Sequence, residues 1–120
     1  DQGWGEWDCY AFEITGADGT AIGTGAQNTI DIENLCASVG TAADICANLN
    51  LGGYSDWFLP SKDELNQMYL NRTLIGMHNG CYWSSSEVDE FIAWEQWFLN
   101  GIQTPATKNN GCYFRAIRSF

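Results

Sequence analysis

The spacing of apolar and polar positions changes period along this 120-residue chain, and the changes mark its elements. Cys9 to Ile14 alternate weakly, which predicts a strand. Gly16-Ala17-Asp18-Gly19 and Gly23-Thr24-Gly25 are turn and loop signals. Asn28 or Thr29 can then cap a short helix running through Cys36, with Ile30, Leu35 and Val39 on one face. Thr41 can cap the next helix. There Ala42, Ile45, Cys46 and Leu49 fall on one stripe, and Gly52-Gly53 ends it. Tyr54 to Pro60 reads as extended and aromatic, because Pro60 biases Leu59 away from helix. Ser61-Lys62-Asp63-Glu64 matches a capping box, predicting a helix to about Leu70 or Asn71 that buries Leu65 and Met68 or Tyr69.

After Gly80 the period becomes two. Cys81 to Ser85 predicts a short strand, and Ile92 to Leu99 a longer one. Alternation puts Trp94, Gln96 and Phe98 on one face of that strand and Ala93, Glu95, Trp97 and Leu99 on the other. Asn100-Gly101 is a hairpin turn, and Gly111 to Ser119 the last strand. The expected fold is therefore α+β: two or three helices, with a small twisted antiparallel sheet formed largely by the C-terminal third.

Charge narrows the function. The net charge is −10, all fifteen acids lie at or before Glu95, and the last 25 residues carry only Lys108, Arg115 and Arg118. This balance argues against nucleic acid and anionic membranes, both of which need a basic footprint. No apolar run approaches the roughly 20 residues of a membrane span. The chain does not begin with Met and has no visible leader, so it reads as a single domain, residues 1–120, trimmed from a larger protein.

Five cysteines include Cys36 and Cys46, ten apart, which could close a small loop in an oxidising compartment. Cys9, Cys81 and Cys112 then allow one more pair and leave one thiol. No CxxC is present and His78 is the only histidine, so a zinc site of sulfur and nitrogen ligands is not expected. Glu87, Asp89 and Glu90 could hold a structural Ca²⁺, but no ligand loop of known spacing is present and a solvated acidic loop is the favoured reading. His78 has no recognisable nucleophile motif, and adjacent Asp63 and Glu64 are explained by helix capping. Nothing specifies a reaction, and no cofactor is expected.

Two groups of residues carry a resemblance. The first is Gly53-Tyr54-Ser55-Asp56-Trp57-Phe58-Leu59-Pro60-Ser61-Lys62-Asp63-Glu64-Leu65. The second is Tyr82-Trp83-Ser84-Ser85-Ser86-Glu87, followed by Ala93-Trp94, Phe98, Gly101, Lys108 and Arg115-Ala116-Ile117-Arg118. In this order they resemble the Lcl C-terminal family, found at the C-terminus of the Legionella collagen-like adhesin. The resemblance implies a fold like that of C-type lectins and formylglycine-generating enzymes. It also implies an extracellular or cell-surface binding role, with sulfated polysaccharide as one ligand class. The formylglycine enzyme's catalytic cysteine pair maps onto no motif here, so the resemblance implies no activity.

The tail also resembles the variable region of proteins diversified by retroelements. Trp83, Ala93, Trp94, Phe98, Gly101, Lys108, Arg115 and Arg118 would be framework. Asp89, Glu90, Phe91, Glu95, Trp97, Leu99, Ile102, Thr104 and Cys112 would be the displayed ligand contacts, with Val88 beside them. The expected partner is a protein or carbohydrate on a cell or phage surface. The alternatives are a fixed carbohydrate-binding adhesin domain, with Trp97 or Phe91 stacking on sugar rings, and an oligomerisation domain whose subunits meet at the apolar patch. Arg115 and Arg118 read as structural, paired with acids or carbonyls, over an anion site shared with Lys108.

Overall fold

Strand β2 (Cys81–Glu87) lies at the centre of the molecule, with all seven of its residues buried. The computed structural model describes residues 2–119. Around β2 a five-stranded sheet is built from β1 (Gly3–Glu6), β3 (Ile92–Trp97), β4 (Gln103–Thr107) and β5 (Gly111–Phe114), in the order β1-β5-β2-β3-β4. All neighbours are antiparallel except β2 and β5. The helices are α1 (Gly25–Leu35), α2 (Ala42–Ala47), α3 (Lys62–Leu70) and α4 (Arg72–Ile75). The α+β expectation holds, with four helices, two of them short.

Both faces of β2 are covered, which explains its continuous burial. Because side chains alternate along a strand, consecutive aromatics enter different cores. Trp83 joins Trp7, Ile14, Ile32, Cys46 and Phe114, whereas Tyr82 joins Leu65 and Phe98. Helix α1 packs on the first side and α3 on the second.

Glu64 ties two helix starts together. In the capping box, Ser61 Oγ accepts from the Glu64 N–H and Glu64 Oε1 accepts from the Ser61 N–H. The same carboxylate accepts from the Gly23 and Gly25 N–H groups at the start of α1, where free donors and the helix dipole favour an anion. A Cβ on Gly25 would lie 2.2 Å from Glu64 Oε1, so this close approach requires glycine. Replacing Glu64 with Ala strands these donors and should cost about 2 kcal/mol, and Ser61→Ala about 1 kcal/mol, as read by urea denaturation.

Several local expectations are corrected. Residues 9–14 are irregular, with a turn at Tyr10 and Ala11, instead of a strand, because Asp8, Cys9 and Ala11 adopt positive φ. Helix α1 begins at Gly25, and Asn28 and Thr29 are buried within it. Its inward face is Gly25, Asn28, Thr29 and Ile32, leaving Ile30, Leu35 and Val39 exposed. The polar inward residues are satisfied: Asn28 bonds the Gly19 carbonyl and Ser85, and Thr29 Oγ1 bonds the Gly25 carbonyl and Leu59. On α2, Ala42 and Cys46 are buried but Ile45 is not. Thr41 does cap α2, accepting from the Asp44 N–H. The last strand ends at Phe114; beyond it, Ile117 bridges back to Phe58.

The cysteine pairing is also corrected. Cys36 bonds Cys9, not Cys46, and Cys81 bonds Cys112. Cys46 points into the core as a buried thiol, and burial pushes it up to about 12. Sequence spacing made Cys36 and Cys46 look paired; the packing of α2 turns Cys46 away.

Candidate ligand-binding surface

The surface residues are held from below by a buried ion pair. Lys108 Nζ lies 2.6 Å from Glu87 Oε2, and both side chains are almost wholly buried. Lys108 also donates to the Phe12 carbonyl and sits 4.7 Å over the Trp7 ring. Glu87 accepts the Ile14 N–H on both oxygens. Burial pushes the Glu87 carboxyl up, while Lys108 and the Ile14 N–H pull it down. One charged pair therefore anchors the irregular segment 8–14 to the end of β2. Further ties are Asp8 N–H to the Lys108 carbonyl and Ala11 N–H to the Glu90 carbonyl.

This geometry corrects the Ca²⁺ expectation. Glu87 faces Lys108 inside the protein, so it is neither a solvated loop acid nor a ligand beside Asp89 and Glu90. Asp89 Oδ1 instead accepts the Phe91 N–H and shapes the β2–β3 turn. Lys108, buried with Glu87, does not join the arginines in an anion site. Arg118 pairs with Asp56 at 2.7 Å and lies over the Tyr54 ring, and Arg115 donates to the Ile75 carbonyl.

Six of the nine predicted contact residues fall at the two ends of β3, about 20 Å apart at the usual strand rise. At one end are Asp89, Glu90 and Phe91. The exposed Phe91 ring packs 5.3 Å from Tyr10, and Phe12 is exposed on the same anchored segment. Tyr10 and Phe12 were not expected there. Their segment alternates like a strand, and nothing local signals the fold-back that the ion pair imposes.

At the other end are Trp97, Leu99 and Ile102, all exposed. The Trp97 N–H donates to the Ile102 carbonyl, and Gly101 holds φ +82° in the connecting turn. Thr104 lies opposite Glu95 across β3 and β4.

Two residues depart from the expected display. Glu95 is buried, and Cys112 is fully buried in its disulfide. Trp97 covers Glu95, its Nε1 donating to Oε1 at 3.2 Å, while Cys112 Sγ lies 2.8 Å from Oε2. Burial raises the Glu95 pKa, opposed by the Trp97 N–H. Thus β3 is not divided into a core face and a displayed face. Ala93 and Glu95 are buried on one side, Gln96 and Phe98 on the other.

A cavity of about 260 Å³ adjoins the first end, with Tyr10 and Phe12 in its lining, and larger ones lie elsewhere. One of about 420 Å³ is lined by Ile22, Met68, Ile75 and Ile117, and one of about 430 Å³ by Ile30, Glu33, Trp57 and Phe58. The predicted contacts line neither. A patch of projecting apolar groups suits a macromolecular surface better than a small ligand, which favours a concave site.

Between α1 and α2, Glu33 is pushed up to about 7, first by burial and then by hydrogen bonding and repulsion from Asp44. Its folded pKa exceeds the unfolded value of 4.5. The folded chain therefore holds the extra proton, and this contribution is lost as pH rises from the unfolded pKa through about 7. Glu33→Gln should flatten that decline. Its urea midpoint should exceed that of the parent at about pH 8 and match it at about pH 4.

His78 stacks on Tyr113 at 4.7 Å. Among the described residues, no helix is long and apolar enough to cross a membrane. No curated protein matches the sequence. The model of the Lcl C-terminal domain matches residues 9–118, nearly the whole chain, including the capping box, the buried Trp83 strand, the anchoring Lys108 and Arg118. The chain therefore belongs to the Lcl C-terminal domain family.

Proposed function

We propose that this chain is a non-enzymatic ligand-binding module of a surface or secreted adhesin-like protein. Its contact surface comes from residues 88–114 and is diversified by a retroelement. The supporting observation is how exposure sorts most of the tail, with Glu95 and Cys112 as buried exceptions. The framework residues Trp83, Ala93, Phe98 and Lys108 are at most 1% exposed, whereas Val88, Phe91, Trp97, Leu99 and Ile102 are 40–68% exposed. A scaffold that must tolerate rewritten side chains needs this separation, since core changes destabilise and surface changes usually do not. Exposed aromatics are effective contact residues, and the acidic domain favours a neutral or basic protein partner over a sulfated glycan.

Deep sequencing of the gene's 3′ end in its source population tests the reading. Substitutions should concentrate at residues 88–91, 97, 99, 102 and 104, with Trp83, Trp94, Phe98 and Lys108 constant. A uniform tail would remove the diversification and leave a dedicated adhesin domain.

A further inference from the structure

We infer that Cys81, Cys112 and Glu95 form a redox-gated site for a thiophilic divalent cation, with zinc the best fit. The three residues come from β2, β5 and β3, are all buried, and place their donor atoms within 4.8 Å of one another. Tetrahedral zinc binds sulfur at about 2.3 Å and carboxylate oxygen at about 2.0–2.2 Å, so its sulfurs stand about 3.8 Å apart. Rotation of the two cysteine side chains reaches that spacing once the disulfide opens.

Glu95 is the reason to look beyond a structural disulfide. A buried cross-link is well served by apolar surroundings, yet here a buried carboxyl oxygen lies against sulfur. A disulfide sulfur has no proton to donate and accepts only weakly, so Oε2 gains at most a weak hydrogen bond there, as a protonated carboxyl, and burying such a group is costly. Reduction removes the conflict. The Cys112 thiol can donate to Oε2, or a cation can satisfy both sulfurs and the carboxylate. Three protein ligands would leave the fourth position of a tetrahedral site open. The donors lie far apart in sequence, which is why spacing motifs do not reveal them. Glu95 and Cys112 are also the two predicted contacts that the surface does not display, so this site and the ligand-binding reading stand or fall separately.

The chemistry balances with a phosphine reductant. The phosphine gives two electrons to the S–S bond and takes oxygen from water to become its oxide. The two protons of that water end on the two sulfurs. The cation then displaces both thiol protons to buffer and binds two thiolates and one carboxylate.

The test is Co²⁺ titration of the whole chain, oxidised and phosphine-reduced, followed by thiolate-to-cobalt charge-transfer and tetrahedral d–d absorption. Near-ultraviolet circular dichroism monitors folding. The reduced protein should develop both bands at one equivalent and lose them to Zn²⁺; the oxidised protein should show neither. Glu95→Gln keeps every cysteine and should weaken binding by about tenfold or more, at least the effect of losing an outer-shell partner. Cys81→Ala/Cys112→Ala should abolish the bands. The inference is overturned if the reduced, folded protein shows no bands, if Glu95→Gln binds as tightly, or if the bands survive loss of both cysteines. It is overturned equally if the reduced chain is unfolded and Zn²⁺ does not restore its fold.

Discussion

Replacing Lys108 with Met should cost about 3–5 kcal/mol of folding stability, because Glu87 is then left buried without its counter-charge. That is a large share of the roughly 5–15 kcal/mol typical of a domain. Met is long enough to fill much of the volume and keep the contact with Trp7, so the loss reports charge more than cavity. Adding Glu87→Gln should recover most of it, since the amide oxygen can still accept the Ile14 N–H and no unpaired charge remains. Hydrogen exchange supplies a local readout. Ile14 and Ala11 amide protection should fall in Lys108→Met, because segment 8–14 hangs on the Lys108 bond to Phe12 and on the Glu87 bond to Ile14. A cost below about 1 kcal/mol, the range of a solvated surface pair, would show that the pair is not desolvated.

Trp83→Ala should cost a similar 3–5 kcal/mol for a different reason. The ring is fully buried at the centre of β2, and its Nε1 donates to the Gly5 carbonyl, tying β1 into the sheet. Truncation leaves a cavity the size of an indole and strands that carbonyl. Trp83→Phe should cost markedly less, because most of the volume is retained and chiefly the hydrogen bond and the ring remainder are lost. Urea denaturation with a constant slope would assign both effects to the native state. If Ala and Phe destabilise equally, the Gly5 bond carries the effect and packing does not.

The parts of this fold that were legible in the sequence are those governed by neighbours in the chain. The Ser61 capping box depends on residues three apart, and it starts α3 where expected. Thr41 caps α2 for the same reason. The α+β order and the turn at Gly101 follow from local period and turn chemistry. Segment 9–14 shows the limit. Its weak alternation resembles a strand, but the Cys9–Cys36 bond and the Lys108–Glu87 anchor bend it through positive φ. Those partners lie 27, 73 and 96 residues away, beyond any local signal. Helix α1 misled for a related reason: its buried face is partly polar, because Asn28 and Thr29 satisfy loop carbonyls and amides from within.

For the candidate surface, Trp97 and Leu99 are exposed as expected, but Ala93 and Glu95, which alternation puts on the same face, are buried. Alternation could not place Tyr10 beside Phe91, nor reveal that Glu95 and Cys112 lie beneath Trp97 against Cys81. The sequence by itself determined the starts of α2 and α3, the turn at Gly101, the acidic balance and the family, because these rest on adjacent residues or on their order. Only the tertiary structure decided which cysteines pair, which face of each element is inward and where the buried charges meet. Each of those depends on which distant segments pack together, and burial then sets the energy of every disulfide, ion pair and carboxyl they bring into contact.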